Sequence, residues 1–167
     1  MNDEIPLSHD TVWVSYHQLI LRGLEDPPPD HPDSFPNGLV AAAETDGATI
    51  LTGISMGPVE VTAELVNEAP PPAVDEWEEV VELSVESTHG SLHVFGLDGD
   101  LTDLSNLAWL GPGRYRLRVH ARGRDTDPDG TARTPFESYL IISWPADHSP
   151  EVVYKRTDRY GQMRRSL

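Results

Sequence analysis

The 167-residue chain contains no cysteine. Disulfides, thiolate nucleophiles and cysteine-ligated metal centres are therefore excluded. No apolar run approaches the ~20 residues of a membrane-spanning helix. The opening "MNDEIPLSHD" carries acids and no apolar stretch, so a signal peptide is not expected and a cytoplasmic location is the default expectation. Bases are almost missing from the first two thirds. Residues 1–113 hold one, Arg22, against 21 acids, a balance of −20. Residues 114–167 hold 11 bases against 7 acids, a balance of +4, and together they give the net −16. So acidic a chain repels nucleic acid and anionic membrane and attracts basic protein surfaces. Phosphate loops, dinucleotide fingerprints and nucleophile elbows are also missing, as is any long helical periodicity.

What remains is a β pattern. With 38% hydrophobic residues the chain is rich enough to fold as one domain, expected over residues 1–155 with a frayed basic tail over 156–167. "TVWVSYHQLIL" (11–21) reads as a first strand, and "EDPPPDHPDSFPNG" (25–38) as a proline-rich loop. "LVAAAETDGATILTGIS" (39–55) turns at Asp46-Gly47 into a strand. In "PVEVTAELV" (58–66), Val59, Val61, Ala63 and Leu65 share one face, Glu60, Thr62 and Glu64 the other. After "NEAPPPAVDEW" (67–77), the strand 78–87 sets Val81, Leu83 and Val85 opposite Glu82, Ser84 and Glu86, and 78–97 reads as a hairpin. "SYLIISWP" (138–145) is a central strand stopped by Pro145, and "EVVYK" (151–155) is a last strand. About eight short strands and no long helix predict an all-β fold, an antiparallel β-sandwich, with a β-barrel as the alternative.

"GPGRYRLRVHARGRD" (111–125) holds five of the twelve Lys and Arg residues. On a strand, Arg114, Arg116, Arg118, His120 and Arg122 project from one face. Two readings follow. If the strands of Glu60, Glu64, Glu82 and Glu86 are neighbours, acids and arginines form cross-strand pairs on an exposed sheet face. Alternatively Arg114, Arg116 and Arg118 form a recognition row that engages a partner's carboxylates.

"DTDPDG" (125–130) matches the first half of a calcium loop, with Asp125, Asp127 and Asp129 as alternate carboxylates. The second half does not match: Phe136 takes the twelfth position and Glu137 comes one residue late. An ordinary turn is the competing reading. "LDGDLTD" (97–103) is a weaker version of the same pattern. His89 and His93 lie four apart without helical spacing, which does not make a zinc motif. His17, with Trp13, Ser15 and Leu19 on its face, reads as a hydrogen-bonded core histidine; an enzyme with His17 or His120 as base lacks a patterned acid or nucleophile. In "DEWEEVVE" (75–82), Trp77 among carboxylates reads as an anchor for a basic partner or as a plug at one end of the core. Trp13, Trp109 and Trp144 read as core.

Several segments together resemble the competence protein J family: "VSYHQL", "NGLVAAAETDGATILTG", "LGPGRYRLRVHARGRD" and "ESYLIISWP", in order over most of residues 11–145. The chain departs in "TDPDGTARTPFE", in the extension "EVVYKRTDRYGQMRRSL" and in its many arginines. No inhibitory residue carries over. That family is associated with inhibition of a DNA-entry nuclease, so the resemblance implies a non-enzymatic protein that binds another protein, with an immunity protein as a related role. The expectation is a binding protein masking a basic partner such as a nuclease or toxin. Asp75, Glu76, Glu78, Glu79, Glu82 and Glu86 are its acidic contacts and Trp77 its anchor; no nucleic acid, membrane or cofactor is involved. The alternative is a calcium-dependent β-sandwich module with Asp125, Asp127 and Asp129 as ligands.

Overall fold

The computed structural model describes residues 7–44, 46–96 and 99–166. The beginning of the opening decapeptide and residues Leu97 and Asp98 of the 97–103 segment lie outside the described residues. The strands are β1 (Leu7–Ser15), β2 (Gln18–Arg22), β3 (Val40–Ala42), β4 (Ala48–Leu51), β5 (Met56–Leu65), β6 (Glu79–Ser87), β7 (His93–Phe95), β8 (Gly113–Arg122), β9 (Ser138–Pro145) and β10 (Val152–Arg156). One helix, α1 (Arg159–Arg165), follows.

The fold is all-β in character, but the expected antiparallel sandwich is not what forms. The strands make one sheet in the order β10-β6-β8-β9-β5-β1-β2-β4-β3, with β7 on the other edge of β2, curled into a half-barrel. The sheet is mixed: β5 and β9 run parallel, with Val61 beside Tyr139 and Ala63 beside Ile141. Apolar alternation cannot distinguish a parallel from an antiparallel neighbour, because both use period two.

The inner face of the curl holds the core. Val59, Val61, Ala63, Leu65, Leu83, Leu117, Val119 and Ile141 are all buried there. The predicted faces of residues 58–66 and 78–87 are the observed ones. The predicted hairpin 78–97 is not: β6 pairs β8 and β10, whereas β7 pairs β2. The predicted strand 11–21 breaks at Tyr16 and His17, both with φ near +60°. They form the two-residue turn between β1 and β2, in a backbone region that twisted hairpins require and that asparagine and glycine usually supply.

Residues 157–166 fold onto the sheet instead of fraying. Asp158 caps α1 by accepting from the Gly161 N–H, and Tyr160 is buried against Phe35 and Leu51. The anchor is Arg124, with no exposed surface. Its Nε and Nη2 donate to the two Asp158 carboxylate oxygens at 2.7 and 2.9 Å, and its Nη1 to the Gly38 and Leu51 carbonyls. A buried guanidinium is tolerable only with such saturation of its donors.

Candidate functional site

The arginine row faces the outside of the curl, as the alternation predicted. Glu82 pairs in register with Arg118 and Glu86 with Arg114, so the cross-strand arrangement exists for β6. Glu60 and Glu64 lie on β5, two strands away from β8. The middle of the row is not exposed. Arg116 and Arg118 keep 3% and 2% of their surface. Both Nε groups donate to one carboxylate, Glu82, at 2.8 and 2.9 Å. Arg116 also donates to the carbonyls of Ser149 and Pro150, and Arg118 to that of Pro70. These two arginines therefore tie two covering loops, 67–77 and 146–151, onto the outer face. Only the ends of the row, Arg114 and Arg122, are exposed.

The acidic run divides in the same way. Asp75, Glu76 and Glu86 are exposed and Glu78 is half-buried. The Glu78 carboxylate accepts from the Gly123 N–H. Glu79 has no exposed surface. It sits between Arg165 at 3.1 Å and Arg124 at 3.6 Å. Burial, then the Asp158 charge, pushes its carboxyl up to about 6. Trp77 is half-buried as a lid over β8, with the Arg122 guanidinium 4.6 Å from its ring and the His120 ring at 5.4 Å. Burial holds the His120 pKa below its ordinary value. Two shallow grooves flank this lid and share Glu64, Trp77 and Leu140. The outer face therefore offers carboxylates around an aromatic edge, which suits a cationic protein surface.

The three aspartates of the calcium-like segment do not converge. Both Asp125 oxygens accept from the Arg159 and Tyr160 N–H groups at the start of α1. Asp127 closes its own turn, with the Gly130 N–H donating to its carbonyl. Asp129, at φ 62°, reaches His17 Nε2 at 3.1 Å. Glu137 turns inward instead, accepting from Gly53 N, Ile54 N and the Tyr139 hydroxyl; burial raises its pKa. Among the described residues, the group whose donor atoms do lie within 4.8 Å of one another is Asp26, Asp46 and His89. Both Asp46 oxygens already accept from Thr88. No spacing rule finds this trio, because three separate loops supply it.

His17 gains the acid that the sequence could not show, but its ring has no free nitrogen. Nε2 meets Asp129, and Nδ1 lies 2.9 Å from the Thr52 carbonyl and 3.0 Å from the Tyr160 hydroxyl. Its ring stacks on Tyr160 at 5.9 Å. The contacts join the β1–β2 turn to α1 and engage both ring nitrogens. Trp13 is the other reversal: assigned to the core by its pattern, it is 50% exposed.

No protein-family model matches the sequence, and no curated protein matches it. Solved structures do share the fold. ComJ from Bacillus subtilis, an inhibitor of the DNA-degrading activity of NucA, aligns at TM-score 0.60 and 18% identity, over 85% of this chain and 98% of its own. A protein described as crocagin biosynthetic gene J aligns at TM-score 0.52 and 13% identity, over 86% of this chain and 99% of its own. The chain therefore carries a ComJ-like fold across most of its length, as the resemblance of its strand segments implied.

Proposed function

We propose that this chain is a non-enzymatic inhibitor or immunity protein of the cytoplasm that masks a basic partner, a nuclease or a toxin. The observation that carries this reading is the likeness to ComJ over nearly all of that inhibitor. The charge supports it. Nucleases hold anionic DNA with basic surfaces, and an inhibitor with the opposite field associates quickly and covers the surface that DNA needs. The exposed acids Asp75, Glu76 and Glu86, with half-buried Glu78 and the edge of Trp77, act as contacts. Glu82, Arg116 and Arg118 serve that surface from beneath by fixing its loops, and Glu79 by holding α1 through Arg165 and the Asp158 N–H.

The test is affinity capture from native-cell lysate at low and high salt, with wild type beside an Asp75/Glu76/Glu78→Ala variant. A nuclease or toxin held by wild type at low salt, released at high salt and lost by the variant is the expected result. Retention that ignores both salt and the substitutions would remove the electrostatic mechanism.

A further inference from the structure

Among the described residues, no element covers the outer face of β1. Its alternation buries Val12 and Val14 and turns Leu7, His9, Thr11 and Trp13 outward. Leu7 is 68% exposed and Trp13 50%. β1 pairs β5 along its full length but meets β2 only at Ser15 and Gln18. Beside its other edge, Asp10, Trp13, Asp100 and Leu101 line one cleft, and Leu101 is 56% exposed. On the β5 side, Thr11 donates to Glu60 at 2.9 Å, and Leu7 stands opposite Glu64. Large apolar groups gathered in one exposed region and rimmed by charge mark interaction sites. Tryptophan is the residue type most enriched at the energetic centres of interfaces. Trp77 already has Arg122 and His120 against its ring, whereas half of Trp13 is open.

Charge selects the occupant. Asp10 and Asp100 line the cleft with Trp13 and Leu101, and Glu60 and Glu64 stand along β5 opposite Thr11 and Leu7. Arg22, the one base before residue 114, is occupied with the Asp26 carbonyl and the Phe95 ring, and His9 lies against Glu60. A second copy would bring the same negative field, and nucleic acid or anionic lipid would be repelled as well. A protein face with lysines or arginines around an apolar spot fits both features. We propose that the outer face of β1, anchored on Trp13 and Leu101, seats the basic partner. This rests on the inhibitor reading and extends its contact surface beyond Trp77, which shares a groove with Leu7 and His9 of β1.

The experiment places a photo-cross-linking amino acid at position 13 or, as a control, at the exposed position 31 in loop 25–38. Each protein is incubated in native-cell lysate at low salt, and adducts are identified by mass spectrometry. The cross-linked protein is then purified and titrated with wild type, Trp13→Ala, Leu101→Lys and Trp77→Ala. The expected result is a basic protein cross-linked from position 13 and not from 31. Trp13→Ala and Leu101→Lys should each bind it at least tenfold more weakly, with melting curves like wild type. Leu101→Lys decides the matter if Trp13→Ala fails to fold. If wild type retains a basic protein but position 13 does not cross-link it and both variants bind within twofold of wild type, this surface is refuted while the inhibitor reading stands. If wild type retains no basic protein at low salt, the inhibitor reading fails and the surface loses its occupant.

Discussion

Substituting Glu82 by alanine tests whether the arginine row belongs to the interior scaffold. Glu82 is the sole carboxylate in contact with both Arg116 and Arg118 among the described residues, at 2.8 and 2.9 Å. Both arginines are almost without exposed surface. Removing the acid leaves two guanidinium charges buried under loops 67–77 and 146–151. Breaking one buried pair typically costs about 3–5 kcal/mol, because the remaining charge cannot be solvated. For a chain of this size, 1 kcal/mol corresponds to roughly 2–4 °C in Tm, so the drop should lie between roughly 6 and 20 °C. Glu86→Ala is the internal control: it stands on the same face, opposite Arg114, but both are exposed. Its cost should stay under ~1 kcal/mol, as for surface pairs. Circular dichroism melts of both variants decide the matter. Similar shifts, or a Glu82→Ala shift below ~2 °C, would refute the reasoning, because the row would then be solvated at its centre.

The Glu79 carboxyl lies at about 6 in the fold against 4.5 unperturbed, so its protonated form contributes stability that is fully present below pH 4.5 and is lost as pH rises through 6. Denaturant titrations should show wild type losing stability relative to Glu79→Gln across that window; a constant difference would remove the assignment. Deleting residues 157–167 removes Asp158 and leaves Arg124 buried without its bidentate partner; a loss of about 3–5 kcal/mol or failure to fold is expected by urea unfolding, and a wild-type midpoint would contradict it. Calcium against chelator should move the melting midpoint by less than roughly 1 °C, because the Asp125, Asp127 and Asp129 carboxylates do not gather within ligand distance and Asp125 and Asp129 are engaged with α1 and His17; a rise that saturates with calcium would show that they converge on an ion.

The period-two alternation located most of the strands and the inner faces of β5, β6 and β8. It could not show which outer faces the loops cover. That is why Arg116 and Arg118 read as surface and Trp13 as core, when loops cover the two arginines and leave Trp13 half open. The Tyr16–His17 turn was illegible because tyrosine rarely takes positive φ and histidine does so only as a minority conformation; tertiary contacts from Asp129 and Tyr160 hold His17 there. α1 left only faint signals, an aspartate cap and two arginines in the last turn. A helix of seven residues does not stand alone, and this one depends on Arg124 from a distant turn. The parallel pairing of β5 and β9 left no local trace. The resemblance of the ordered segments to the competence protein J family did reach the fold, because a succession of strands and turns outlasts individual side chains.

The central claim is that this chain disables a basic nuclease or toxin by covering it. The most direct test measures the DNA-degrading activity of native-cell extract and of purified NucA as the chain is added, at low and high salt. The account predicts that at least one activity falls stoichiometrically at low salt and recovers as salt rises. If no degrading activity changes at any ratio and the extract holds no toxin whose action the chain blocks, the inhibitor account is contradicted.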